Sequence, residues 1–224
     1  MNNEGSRTIN IIRNSAYGVT AQVILILLNF VNRTVFINCL NSEYLGVNGL
    51  FTNIITVLSL AELGFGEAIV YSMYKPLAEH DDCKLKALMG LYASIYRIIG
   101  CAIGAIGILV IPFIDVLMKD KPNIPNIIII YLLFLLNSVS SYFFTYRRSI
   151  IIADQKRYIY SKYQLAFSII KVAAQIIILY STRNFIIYLL IQILCTLGEN
   201  ISISSKAKQL YPFLKGKGKE KLAK

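Results

Sequence analysis

The residues best equipped for chemistry in this 224-residue chain are three cations set inside apolar runs, Arg33, Arg97 and Lys171. Three carboxylates stand in similar surroundings, Glu62, Glu67 and Glu199. A charge in hydrocarbon is costly, so such residues usually face a bundle interior or a wet cavity. A guanidinium fork matches the oxygens of a phosphate, and an ammonium acts on the same anion as a point charge. Arg33 falls toward the outer third of its run, Lys171 near the middle of its own, and Arg97 in the inner half of a third. Such a staggered set suits an anion that must cross a membrane.

Spacing groups further polar residues with these charges. Gln22, Asn29 and Arg33 are seven and then four residues apart, which places them on one helical face. Gln164, Ser168, Lys171 and Gln175 repeat the pattern, as do Gln192, Thr196 and Glu199, and Asn137, Ser141 and Arg148. A bundle of helices with one polar stripe and one oily face encloses a hydrophilic centre. The plainer reading is that the stripes hold helices together and that Arg97 pairs with Glu62 or Glu67. Gluing helices does not need three cations at different depths, so a solvated cavity is the expectation.

Catalytic constellations do not emerge. There is no Gly-rich phosphate loop, no paired-carboxylate motif and no metal-ligand spacing. His80 is the only histidine, so neither a His-based zinc site nor a Ser-His-Asp triad suggests itself. Cys39, Cys83, Cys101 and Cys195 stand alone and read as small packing residues. The chain is expected to be non-enzymatic, with no cofactor and no metal.

The elements that must position the polar residues are long and oily. Hydrophobic residues make up 56% of the chain and charged residues only 16%, against about 25% charged in soluble domains. About 20 apolar residues cross the hydrocarbon core. Six runs fit, at about 16–39, 45–71, 88–113, 125–146, 163–180 and 185–205. The second is the least oily, and the third ends at Pro112. Barrel strands would be half as long and alternate in character, so the fold class expected is all-α, a polytopic membrane protein. Residues 1–214 form the membrane unit, and 215–224 read as a basic, flexible cytoplasmic tail.

Basic residues set the orientation. Of the 23 Lys and Arg, 17 fall in the N-terminus, the 2–3 and 4–5 loops and the C-terminal end, and only Lys119, Lys121 and Arg183 on the other side. Both termini are therefore expected in the cytoplasm, with an even number of crossings. The net charge of +11 is the product of that topology rather than a nucleic-acid signal. Arg7 and Arg13 precede the first run without a cleavage site, so that run reads as a retained signal anchor. Tyrosines near the run ends form an interfacial belt, and Gly100, Gly104 and Gly107 provide a close helix-packing seam.

Several stretches carry a family resemblance. They are 32–40 (NRTVFINCL), 44–53 (YLGVNGLFTN), 58–69 (LSLAELGFGEAI), 74–79 (YKPLAE), 142–148 with 152–156 (IADQK), and 211–215 (YPFLK). In order along nearly the whole chain, they resemble polysaccharide-type flippases of the multidrug/oligosaccharidyl-lipid/polysaccharide exporter superfamily. The resemblance implies one six-helix lobe of a transporter in a bacterial cytoplasmic membrane. Its substrate would be an undecaprenyl-diphosphate-linked oligosaccharide destined for O-antigen, capsule or a related polymer. It makes Arg33 the first candidate for the diphosphate, with Lys171 and Arg97 behind it, and Asn29, Gln164 and Gln175 for the sugars. A related drug or cation exporter is the alternative, with Glu62 as its coupling acid. Family members carry two such lobes, whereas the resemblance here covers only the N-terminal one. A split or truncated reading frame is expected, with a second half, a homodimer or an inactive remnant as the other outcomes.

Overall fold

A computed structural model describes residues 3–62, 64–118 and 124–215, with backbone only for 3–13, 61 and 215. The tail beyond 215 and the expected outer-loop cations Lys119 and Lys121 lie outside the described residues. So do the side chains of Arg7 and Arg13.

The described chain is helical, without a strand. In order the helices are α1 (Asn3–Leu40), α2 (Ser42–Ser59), α3 (Phe65–Ala78), α4 (Asp82–Val110), α5 (Ile114–Leu117), α6 (Ile127–Ala153), α7 (Arg157–Thr182) and α8 (Phe185–Leu210). Five continuous stretches are long and apolar enough to cross a membrane: Asn14–Leu40, Asp82–Leu117, Ile127–Ala153, Arg157–Thr182 and Phe185–Leu210. Their outward faces agree, since Phe30, Ile98 and Leu194 are 71%, 69% and 67% exposed. Water would not tolerate that array, but acyl chains do. This is a membrane protein.

The run expected at 45–71 is not one helix. It divides into α2 and α3 around a 3₁₀ turn at Leu60–Glu62 and a left-handed Gly64 (φ 86°). A side chain at Gly64 would be strained there. Pro112 has a milder effect than expected. It sits in a 3₁₀ turn, Ile111–Phe113, and α5 carries the helical course onward. Elsewhere the helices overrun the expected ends, because hydropathy marks the hydrocarbon and the backbone ladder continues past it.

Side-chain contacts fix which ends lie together. Asn14 donates to the Gln155 carbonyl and accepts from the Tyr158 amide, at 2.7 and 2.8 Å. Asn32 donates to Gln175 at 3.1 Å. These partners are separated by 141 to 144 residues at both depths, so α1 and α7 run parallel in register. At the same end, Tyr211 after α8 donates to Asp154 after α6 at 2.6 Å, and Lys156 pairs with that carboxylate. Burial and the Asp154 carboxylate push the Tyr211 hydroxyl far above its usual range, so it stays a donor. The C-terminal turn Pro212–Lys215 also packs on α4. The segments expected to share one side, by their basic residues, therefore meet at one end of the bundle.

Sharp turns join helices through the positive-φ residues Asn41, His80, Gln155 and Arg183, and a left-handed Asn126 precedes α6. Asn41 also caps α2 by accepting from Glu43 and Tyr44. His80 is exposed at φ 54° between α3 and α4, so the sole histidine serves a turn. Relief of the left-handed cost of about 1–2 kcal/mol is partly offset by glycine's greater freedom when unfolded. His80→Gly is accordingly expected to leave stability unchanged or raise it by up to about 1 kcal/mol. Thermal unfolding in detergent checks this, and a clear loss would contradict it.

The core joins all layers. Phe51 of α2 meets Tyr131 and Phe134 of α6 edge-on, at 5.2 and 5.8 Å between centroids. Phe36 of α1 meets Phe185 and Tyr188 of α8 likewise, at 5.3 and 5.2 Å. Gly100, Gly104 and Gly107 of α4 face Tyr142, Val139 and Leu135 of α6, the close seam their spacing predicts.

Candidate functional site

The polar stripe of α1 lies along two cavities. Near the shared basic end, a cavity of about 600 Å³ is lined by Asn14, Gln22, Arg157, Tyr160, Ser161 and Gln164 among others. Gln22 of α1 and Gln164 of α7 thus meet on one wall, as their parallel register requires. Toward the other end, a cavity of about 240 Å³ is walled by Asn29, Asn32, Arg33 and Phe36 of α1, Leu45, Asn48 and Gly49 of α2, and Tyr188 of α8. Asn29 and Arg33 are exposed, one helical turn apart.

Asn32 ties the wall of the smaller cavity to α7 and α8. It is 9% exposed, and its amide donates to Gln175 and to the Tyr188 hydroxyl, at 3.1 and 2.9 Å. Its Oδ1 has no partner. A buried acceptor without a donor costs roughly 1–3 kcal/mol. The cavity therefore presents the guanidinium of Arg33 and the carboxamides of Asn29 and Asn48, with Asn32 buried in the same wall. That combination accepts from and donates to a polyol or phosphorylated ligand.

Other expected site residues fall elsewhere. Lys171 is half-buried on α7 and shares its electrostatic surroundings with Cys195 and Glu199 of α8. Glu199 is the carboxylate in its electrostatic neighbourhood. Gln175 is 1% exposed and fully engaged, accepting from Asn32 and donating to the Tyr188 carbonyl. It packs α1, α7 and α8 together and has no surface for a sugar. Arg97 lies on the exposed face of α4 with Ser94, Ile98 and Cys101, and lines neither of these cavities. The expected staggered trio is not assembled in one place.

Glu62 occupies a separate setting at the break between α2 and α3. Its carboxyl lies within hydrogen-bonding reach of the Tyr96 and Tyr142 hydroxyls. A cavity of about 770 Å³ there is lined by Glu62, Glu67, Tyr71, Tyr74, Arg148 and Arg157 among others. Arg148 donates to the Tyr160 hydroxyl at 3.2 Å and lies 4.9 Å above that ring. Arg147 is tied to Ser204. Glu67 and Arg148 thus border the same space as Glu62, and Arg97 does not.

Asn32, Asn48 and Tyr188 are the wall residues that spacing alone did not single out. Asn32 lies 100° from Arg33 around α1, off the polar stripe. Only the α1–α7 pairing shows that it meets Gln175.

Comparison with known protein families, with characterised proteins and with solved structures finds no match to this chain. The fold and the cavities define its class on their own terms. It is an all-helical membrane protein with polar cavities along one stripe of its first helix.

Proposed function

We propose that this chain is one lobe of a transporter that moves an undecaprenyl-diphosphate-linked oligosaccharide across the bacterial cytoplasmic membrane. The observation that carries the reading is the small cavity that gathers Arg33 with the carboxamides of Asn29 and Asn48. A guanidinium suits diphosphate oxygens, and paired amides suit sugar hydroxyls. The family resemblance of the sequence motifs points the same way. In this reading the broken α2–α3 passage is a sixth crossing, both termini are cytoplasmic, and a second lobe or second copy completes the path. The role is transport rather than catalysis, and Lys171 acts with Glu199 rather than as a free cation.

The test is surface-polymer assembly in cells that depend on the protein together with whatever completes it. Arg33→Ala is expected to lower polymer at least tenfold with unchanged membrane abundance, and Arg33→Lys to retain part of it. Lys keeps the charge but loses the fork. Normal polymer from Arg33→Ala would overturn the assignment.

A cation-coupled exporter is the second reading, favoured by the placing of Glu62 between two tyrosines at a helix break. Discontinuous helices are common at transport sites. Uptake of a lipophilic cation into inverted vesicles, lost in Glu62→Gln, would select it over the first.

A further inference from the structure

A fourth cavity lies on the other flank of the α1–α7 seam, near the basic end. It holds about 290 Å³ and is lined by Tyr17, Thr20 and Ala21 of α1 and by Ser161, Lys162, Leu165, Ala166 and Ile169 of α7. Its walls are almost wholly apolar except at one end. There the ammonium of Lys162 sits 4.8 Å from the Tyr17 ring and 5.9 Å from the Tyr158 ring. Among the described residues no carboxylate pairs with Lys162.

The small residues Ala21, Ser161 and Ala166 make the groove. It runs from Lys162 to Ile169, seven residues, which is about 10 Å along a helix. One leaflet of hydrocarbon is about 15 Å deep, so the groove follows roughly two-thirds of an acyl chain. It is continuous with outward apolar surface, as Ile169 and Ile170 are 46% and 56% exposed. A water-soluble ligand would find one ammonium and an oily wall. A lipid would find both of its halves matched.

Charge decides which lipid. Between positions 147 and 162 the chain carries Arg147, Arg148, Lys156, Arg157 and Lys162 against the single acid Asp154. That acid is already held by Lys156 and Tyr211. Arg148 and Arg157 border the same cavity as Glu62 and Glu67, so the charge left for a ligand of this groove is that of Lys162, and an anionic headgroup answers it.

We propose that this groove is a binding site for one anionic phospholipid, with an acyl chain along Thr20, Ala21, Leu165, Ala166 and Ile169 and its phosphodiester at Lys162. Tyr17 and Tyr158 wall the ammonium in and hold it at headgroup depth. The site shares no residue with the small cavity of Asn29, Asn32, Arg33 and Asn48 and stands without the transport assignment.

Native mass spectrometry of the purified full chain tests it, with phosphatidylglycerol and phosphatidylcholine as probes. The chain should retain phosphatidylglycerol at least fivefold more than phosphatidylcholine, following the worth of one basic residue at a membrane surface. Lys162→Ala should lower phosphatidylglycerol retention about fivefold and leave phosphatidylcholine unchanged, and Lys162→Arg should restore it. Ala166→Phe, at an exposed position, should fill the groove and reduce retention with the charge intact. Lys208→Ala, a basic residue at the same end but outside the groove, should have no effect. The proposal is overturned if wild type holds the two lipids equally, if Lys162→Ala retains phosphatidylglycerol as wild type does, or if Lys208→Ala matches its loss. Displacement of the lipid by inorganic phosphate would also overturn it, since a free anion would then be the ligand.

Discussion

Gly107→Ala should destabilise the folded bundle by about 1–3 kcal/mol, the usual cost of overfilling a packed interior. A methyl group at Gly107 would run into Leu135 Cδ1 and meet its Cδ2 at 2.9 Å and Cγ at 3.2 Å. Leu135 is 5% exposed, so it has little room to turn away. The backbones are also pinned, because the Tyr131 hydroxyl donates to the Gly107 carbonyl at 2.8 Å. The helices must therefore part or Leu135 must leave its rotamer. Reversible unfolding in mixed micelles measures the cost. The double variant Gly107→Ala with Leu135→Ala discriminates packing from other causes. The second change opens the space that the first one fills, so the pair should cost clearly less than the two singles added. Strict additivity would mean that the clash is absent.

Gln175→Ala should cost a similar amount, about 2–3 kcal/mol, by a different mechanism. Gln175 accepts from Asn32 at 3.1 Å and donates to the Tyr188 carbonyl at 3.3 Å. Interhelical hydrogen bonds in membranes are each worth about 0.6–1.7 kcal/mol. Truncation removes both and leaves the Asn32 amide with the Tyr188 hydroxyl alone. It also opens a void beside Val172 and Leu179, which are 3% and 0% exposed. In a double-mutant cycle, Asn32→Ala and Gln175→Ala should couple by about 1 kcal/mol. Equal stability of Gln175→Ala and wild type would rule the network out as a clamp.

These two sites mark how far the residue pattern reads. The Gly100, Gly104 and Gly107 seam was legible because glycine spacing has one common use in an oily helix. The gathering of the basic segments at one end was legible from charge alone, since it obeys a rule of topology rather than of packing. Gln175 was not. A glutamine in an apolar run looks the same whether it meets water, a ligand or an asparagine on another helix. Arg97 shares that ambiguity, because its spacing within α4 does not say which neighbour that face meets. The α2–α3 break was concealed by continuous hydropathy through 58–69, although Glu62, Gly64 and Gly66 were visible. Hydropathy averages over a window and passes over one left-handed glycine. Asn29 and Arg33 did come together on a cavity wall, since their spacing and the position of α2 both act within one helical turn.

The tie between Asn32 and Gln175 also has a consequence in time. The two residues are 143 positions apart, and ribosomes add about 5–20 residues per second. The first helix thus waits about seven to thirty seconds before its counterpart has been synthesised. Throughout that interval the Asn32 carboxamide must be tended by water, by lipid headgroups or by an insertion factor. The α1–α7 clamp therefore closes only late in synthesis, after most of the chain has been made.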